Sequence, residues 1–281
     1  MNLINCRKDK IAAGIVTYNP ELKRLKENIE HIAMQVDKIF MFDNGSDNIA
    51  GIDELCRKWP EGVVLIKSDM NIGLAAALNR LCRWGVKHGY QYMVTLDQDS
   101  VCPEDLVLTL QGNLRPDVAV AAPNIVYRNN ECFAVKRAVA EEVEWVITSA
   151  SLTSLAVWDE IGGFDERLFI DGVDRDFCVR ARKKGYHIVK DYNAELMHEL
   201  GNLKCRKVFG RTIYVTNHAA FRKYYMVRNT IYLDKKHNES RRYSNIMKNI
   251  FKTLIFEDGK ITKLCAICKG IRDGVKMEIQ G

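Results

Sequence analysis

The sequence predicts an α/β fold, a mixed sheet flanked by helices and followed by a helical appendage. Three observations carry this expectation. The first hundred or so residues alternate strand and helix patterns, the signature of parallel strands covered by helices. The alternation then breaks into strand-like runs with no helix between them, so the sheet is expected to be mixed. Beyond residue 203 the pattern is helical, with no strong strand.

Each element has its own reason. KIAAGIVTYNP is an apolar, β-branched run that stops at a proline, and ELKRLKENIEHIA has helical periodicity. DKIFMFDNGSDN is a second strand ending in turn residues, and VVLIKS is a third. NIGLAAALNRLCRWGVKHG reads as a helix opened by Asn and ended by Gly, and MVTLDQDS as the fourth strand. PEDLVLTLQGNL is a helix with proline in its first turn. VAVAAPNIVYRN, ECFAVKRAV and VEWVITSA then read as strands. Helices return at SLAVWDEIGGF and DRDFCVRARKKGY, followed by a strand at HIVKDYNAELMHE. HAAFRKYYMVRNTIYL, SRRYSNIMKNIFKTLIF and ITKLCAICKGIRDG are the expected helices of the appendage, which divides the chain into 1–203 and 204–281.

Composition bounds the class of protein. With 281 residues, 47% hydrophobic and 28% charged, the chain can bury a sizeable core. No run approaches the roughly 18 apolar residues of a membrane span, and MNLINCRKDK holds no apolar signal region, so a cytoplasmic location is expected. Nine scattered cysteines argue for reduced thiols, and the single CAIC pair, Cys265 and Cys268, reads as two helical thiols rather than a zinc site. Charge is uneven: 18 Lys and Arg against six Asp and Glu from Lys204 onward give +12, leaving −6 for residues 1–203. Such a basic region attracts an anionic membrane surface, an anionic substrate or nucleic acid, or forms a solvated helical surface.

In an open α/β sheet, ligands bind beyond the carboxyl ends of the strands. Thr17, Tyr18 and Asn19 end the first strand, Asp43, Asn44 and Ser46 the second, Asn71 and Gly73 follow the third, and Asp97 to Ser100 end the fourth. Each has a plain account as turn or cap chemistry, yet four polar strand ends on one edge point to a polar ligand crossing it. The sequence has neither GxGxxG after the first strand nor GxxxxGK[ST]. Asp97 and Asp99, two apart at a strand end, are expected to project together. A divalent cation, Mn²⁺ or Mg²⁺, that bridges carboxylates to a diphosphate explains them better than a capping pair for the next helix.

Seven segments in order, GIVTYNP, FDNGSD, NIGLAAALN, LDQDS, GGFDERLFIDGVDRDFCVRARKKGY, HELG and FRKYYMVRN, resemble glycosyltransferase family 2, in particular its rhamnosyltransferase-like members. The resemblance runs from about Ile11 to Leu233 and leaves the last 48 residues uncovered. It implies a GT-A nucleotide-binding sheet and an inverting, metal-dependent transfer from a nucleoside diphosphate sugar. By this likeness Thr17, Tyr18, Asp43 and Asn71 line the nucleoside pocket, with Asp43 facing the base and Asp97 near the ribose, and Asn19 and Gly73 also bind the nucleotide sugar. Asp99 holds the metal, and His198 in HELG is a second ligand. Asp174, in the first turn of a helix where the dipole favours its charged form, is the general base. Relatives with Glu-Asp there contrast with Val173-Asp174 here, which the rhamnosyltransferase-like members share.

The surrounding residues are expected to play lesser parts. Asp171 and Ser149 belong on the acceptor side, although ITSAS, with Ala150 where the family has glycine, is equally an ordinary serine turn. Asp165 reads as a turn residue and Asp176 as a partner of Arg180 at helical spacing. Arg222 and Arg228 are six apart and not on one stripe, so one of them, Arg228, is assigned to the diphosphate.

The expected activity is therefore transfer of L-rhamnose from dTDP-rhamnose to a saccharide or lipid-linked acceptor in bacterial surface polysaccharide synthesis. The basic region would rest on the inner face of the membrane, cover the sheet edge or pair two copies. A UDP-sugar donor is the alternative within the family. Nucleotidyl transfer is a second class, weakened by the missing phosphate loop. Nucleic-acid binding is a third, supported only by the basic region and its aromatic residues, and is not expected because it leaves Asp97, Asp99 and Asp174 without a purpose.

Overall fold

A computed structural model describes residues 9–127, 139–198, 204–208, 211–215, 217–239 and 242–279. The chain clusters into two compact units, Met1–Glu166 with Phe177–His198, and Arg167–Asp176 with Glu199–Gly281.

The first unit is built on an eight-stranded sheet. β1 (Ile11–Thr17), β2 (Lys38–Asp43), β3 (Val63–Lys67) and β4 (Tyr92–Asp97) are parallel. Beyond them lie β5 (Val118–Tyr127), β6 (Ala140–Glu142), β7 (Ser151–Ser154) and β8 (His187–His198), giving the order β3-β2-β1-β4-β7-β5-β8-β6. β7 runs antiparallel to both neighbours, β4 and β5, which makes the sheet mixed. The order places β1 centrally, and its alternation sorts its two faces. Ile11, Ala13 and Ile15 join a core with Leu25, Ile29 and Ile32 of α1 (Leu22–Ala33) and Leu106, Val107 and Leu110 of α4 (Leu106–Gln111). Each of the Ile, Leu and Val side chains taken from water stabilises the fold by about 1.5–3 kcal/mol.

On the other face, α3 (Leu74–Lys87) lies so close that a Cβ added to Gly14 would stand 2.9 Å from Met93 Sδ and 3.3 Å from Leu81. Glycine is what that approach permits. Phe40 of β2 fills the far end of this face, its ring 5.8 Å from Trp84 and edge-on to Tyr90 at 5.4 Å.

Several elements differ from the sequence expectation. α2 (Ile49–Cys56), a short helix after the DNGSDN turn, was not expected. VEWVITSA is not a strand: pairing falls on either side of it, at β6 and β7, while Ser151 N–H closes a turn on the Thr148 carbonyl. Its apolar residues are set by local turns and burial, which period-2 reading cannot tell from a ladder. α4 begins at Leu106, after Pro103 rather than around it, and α5 (Leu155–Ile161) and α6 (Val173–Lys183) form where the sequence places helices. Most of ECFAVKRAV lies outside the described residues.

The second unit is mainly helical: α7 (Ala220–His237), α8 (Arg242–Phe256) and α9 (Lys260–Lys276). It also holds an antiparallel hairpin, β9 (Lys204–Val208) and β10 (Arg211–Val215), where no strand was expected. KCRKV carries no period-2 alternation of apolar and polar residues that would mark a strand. Val227 and Ile231 of α7 and Ile267 of α9 form the core, with Ile246 and Ile250 of α8 packed on it. α7 and α9 touch through backbone: a Cβ on Gly270 would lie 2.6 Å from the Tyr224 carbonyl oxygen, and one on Gly274 2.7 Å from that of Arg228. Beneath them Lys223 and Lys263 converge on Glu257 at 2.6 and 3.1 Å, a buried charge cluster in which every member is paired.

Candidate active site

Strand register does the first part of the assembly. Thr17 pairs with Asp43, Asp43 with Lys67, and Val16 with Asp97, so the four parallel strands finish side by side on one edge. The residues expected there separate into a buried framework and an exposed surface. Thr17 is fully buried and donates its hydroxyl to Asp43 Oδ1 at 3.1 Å, while the Ser46 N–H donates to Asp43 Oδ2 at 3.0 Å. Asp43 is 1% exposed, and both its oxygens hold neighbouring loops. Asn44 continues the framework, accepting from the Ile72 N–H at 2.8 Å and donating to Asn71 Oδ1 at 3.1 Å.

The outward-facing residues are Tyr18, Asn19, Asn71 and Asp99. Tyr18 is pinned by its backbone, whose N–H donates to Gln98 Oε1 at 2.8 Å, leaving the ring 48% exposed. Asn19 has φ 47°, donates its N–H to Ser46 Oγ at 2.8 Å, and accepts from the Asp47 N–H at 2.8 Å. Asn71 Oδ1 also accepts the Gly73 N–H at 2.9 Å, and Gly73 itself, at φ 88°, is the residue from which α3 departs. The helix is thus started by a glycine turn rather than by an asparagine cap.

LDQDS is where the structure changes the geometric argument. The strand ends at Asp97, and Gln98 and Asp99 form a turn closed by the Ser100 N–H on the Asp97 carbonyl at 3.2 Å. Strand alternation therefore does not orient Asp99. Two side chains of α1 do: Asn28 donates to the Asp97 carbonyl at 2.7 Å and Arg24 to the Asp99 carbonyl at 2.9 Å. Sequence reading passed over both, although an Asn among Leu25, Ile29 and Ile32 on a buried helix face was a visible signal. Neither aspartate caps α4, whose N-cap is Asp105. Ser100 instead shares a buried hydrogen bond of 2.9 Å with Ser149 Oγ. The Ala150 that follows adopts φ 58°, so the turn keeps the left-handed conformation expected of glycine.

A divalent cation finds one open carboxylate here. Asp99 is exposed and its side chain makes no hydrogen bond or ion pair among the described residues. No three of His, Cys, Asp and Glu gather among the described residues, and the side chain of His198 lies outside them. That donor set fits a hard cation held by one or two carboxylates and completed by substrate phosphates and water, the habit of Mg²⁺ in nucleotide sites.

In the second unit, FIDGVDRD forms a strained turn, with φ of 64° at Phe169, 65° at Asp171 and 84° at Gly172, leading into α6 (Val173–Lys183). Asp174 is half-buried in the first turn of this helix, and its Oδ1 accepts the Arg175 N–H at 2.8 Å. Asn229 of α7 clamps the turn by donating to the carbonyls of Leu168, Ile170 and Asp171 at 2.7–2.8 Å. Arg228, assigned from sequence to a diphosphate, donates to the carbonyls of Arg167 and Leu168 and lies over the Tyr225 ring at 4.5 Å. In this structure its Nη2 holds the turn and its Nε donates to Asn229 Oδ1.

Arg222 binds Asp171 through Nη2 and Nε at 3.0–3.3 Å. Asp176, fully buried, takes Lys236 at 2.7 Å and His237 at 2.9 Å as partners, contacts that helical spacing does not reveal. Arg180 donates to the carbonyls of Ile161 and Gly163. A cavity of about 360 Å³ opens beside the turn, lined in part by Asp171, Arg175, His218, Lys223, Lys248 and Lys252. Burial first, and then the nearby Arg222 charge, pushes the His218 pKa down.

An open α/β sheet with a polar carboxyl-end edge and an exposed acidic turn on its fourth strand is built to take a polar ligand across that edge. The model of Glycosyl transferase family 2 matches residues 13–180, and the chain belongs to that family. It is 30% identical over 252 residues to the dTDP-rhamnosyl transferase RfbF of Shigella flexneri, covering 81% of each chain. Among solved structures it is similar to GalNAc-T7 with UDP, GalNAc and Mn²⁺, with TM-score 0.65 at 10% identity, covering 97% of this chain and 57% of that one. It is also similar to the mannosyltransferase PcManGT of Pyrobaculum calidifontis with GDP-Man and Mn²⁺, with TM-score 0.60 at 12% identity, covering 98% and 77%. These neighbours show the shared GT-A fold.

Proposed function

We propose that the protein transfers L-rhamnose from dTDP-rhamnose, with inversion and with a divalent cation, to a saccharide or lipid-linked acceptor of a bacterial surface polysaccharide. The observation that carries the reading is the strand edge itself, where register and side-chain hydrogen bonds fix Tyr18, Asn19, Asn71 and the open Asp99 carboxylate. The choice of rhamnose rests on the likeness to the Shigella enzyme.

Tyr18 stacks against the nucleoside, with Asn19 and Asn71 supplying polar contacts around it. Asp43 and Thr17 keep those loops in place and reach the base only as the edge opens. Asp97 lies toward the ribose. Asp99 holds the cation, with His198 as a second ligand; the cation, when bound, screens the charge of the departing diphosphate. Asp174 accepts the proton of the acceptor hydroxyl as that oxygen attacks the anomeric carbon. One base suffices for a single displacement, which inverts the configuration. Asp171 and Ser149 belong to the acceptor side. Arg228 acts by holding the turn that carries Asp171 and Asp174. The work is placed at the cytoplasmic face of the membrane, where lipid-linked acceptors are presented.

The test is release of nucleoside diphosphate from dTDP-rhamnose and from UDP-linked sugars, with Mn²⁺ or Mg²⁺, using the full chain, Asp99→Ala and Asp174→Asn. Turnover of the dTDP donor that is lost with chelator and in both variants supports the reading, and the anomeric configuration of the product tests inversion. Equal turnover by Asp174→Asn removes the base assignment. A preference for a UDP donor removes rhamnose.

A further inference from the structure

The helix α8 has an apolar arc much wider than its packing requires. Ile246 and Ile250 cover the core of the second unit, and Thr253 and Glu257 continue that buried side. Next to it, Met247, Phe251, Leu254 and Ile255 form a stripe at helical spacing and stand in solvent, at 62%, 49%, 48% and 51% exposure. Ile261, at the start of α9, is 79% exposed. Large apolar side chains in a contiguous exposed row mark an interaction surface, whereas isolated ones do not.

The border of the stripe identifies the partner. Lys248 and Lys252, four residues apart, run along one flank, and neither makes an ion pair or hydrogen bond among the described residues. Lys260 is exposed and equally unpaired. The region from Lys204 onward carries +12 in total. Unpaired lysines beside an exposed apolar stripe complement a surface that offers hydrocarbon below a layer of phosphates, the chemistry of an anionic bilayer.

We propose that α8 docks the protein on an anionic lipid surface: Met247, Phe251, Leu254 and Ile255 enter the boundary between headgroups and acyl chains while Lys248 and Lys252 meet the lipid phosphates. This deepens the lipid-linked acceptor reading given above and rests on it for its purpose. No helix among the described residues is long and apolar enough to cross a membrane, so this contact is one of lying on the surface.

Sedimentation of the full chain with phosphatidylcholine vesicles, with and without phosphatidylglycerol, tests it. Binding is expected only with phosphatidylglycerol, to weaken with salt, and to fall at least about tenfold in Phe251→Ser/Leu254→Ser and in Lys248→Glu/Lys252→Glu. All four positions are at least partly solvent-exposed, and matching melting temperatures would show that the variants fold. Absence of vesicle binding, or binding unchanged in both variants, overturns the proposal. So does self-association that Phe251→Ser/Leu254→Ser abolishes without any vesicle binding, which would assign the stripe to a second copy. Donor turnover without vesicles is measured alongside. An active enzyme that ignores vesicles refutes docking alone, and vesicle binding without turnover refutes the transferase reading alone.

Discussion

Asn28 shows how a single residue links a helix to chemistry. Its amide reaches from α1 to the carbonyl of Asp97, two residues before the carboxylate that faces solvent at Asp99. Asn28→Ala removes one of two donors to that carbonyl, which keeps the Ser100 N–H, at a cost of about 0.5–1.5 kcal/mol. The expected result is a lower melting temperature and a raised metal requirement for turnover, because the LDQDS turn loses one of its two anchors on α1. A metal titration separates this from simple instability. Asp176 is the opposite case, a carboxylate with no open face. Removing it in Asp176→Ala takes the buried carboxylate away from Lys236 and His237, and a loss of about 3–5 kcal/mol is expected in denaturant unfolding. Ala150 tests a balance of small terms. Relief of its left-handed backbone in Ala150→Gly gains about 1–2 kcal/mol, while loss of a fully buried methyl costs about 0.8 kcal/mol. A change under about 1 kcal/mol is expected, and a large destabilisation would show that the methyl packs more tightly than its neighbours indicate.

At the scale of elements, the contact between α7 and α9 depends on two glycines one helical turn apart. Gly274→Ala places a methyl 2.7 Å from the Arg228 carbonyl, and backbone there has no rotamer with which to yield. The helices must separate, at about 1–3 kcal/mol. Because α7 carries Arg228 and Asn229, which hold the turn before Asp174, acceptor-dependent turnover is expected to fall more than donor hydrolysis. Equal losses in the two assays would place the effect in stability alone. The hairpin β9–β10 and the short helix α2 escaped sequence reading for a related reason. Brief elements have too few residues to establish a period, and neighbouring structure decides whether they pair or coil.

For the whole molecule, acid is the informative variable. Glu166 is held below the usual carboxylate range first by the Asn79 hydrogen bond and then by Arg83, Asp53 by Lys67, and Glu160 by the Tyr186 hydroxyl. These groups bind fewer protons folded than unfolded, so their contribution is present above the ordinary carboxylate pKa and lost as pH falls through the depressed values. His218, pushed below 6.5 by burial, prefers to stay neutral in the folded state and penalises folding as pH drops through 6.5. Thermal melts should therefore decline gently just below pH 6.5 and steeply below about 4. His218→Gln should remove the gentle stage, and an unchanged profile would mean that the histidine protonates freely.

The sequence by itself determined the parallel first half of the sheet, the strand ends that gather polar residues, and the family. The first two follow from local periodicity and turn chemistry, which depend on neighbours a few residues away, and the family from the resemblance of seven short segments in order. The left-handed backbone at Ala150, where the family has glycine, is a finding of the structure. Only the tertiary structure decided which strand-end residues are framework and which are surface, since Asp43 and Asn71 look alike as turn residues yet one is enclosed and the other open. It likewise decided that Arg228 supports a turn and that α8 leaves an apolar stripe uncovered. Burial and hydrogen-bond partners distant in the chain are properties of the packed molecule, and no spacing along the sequence encodes them.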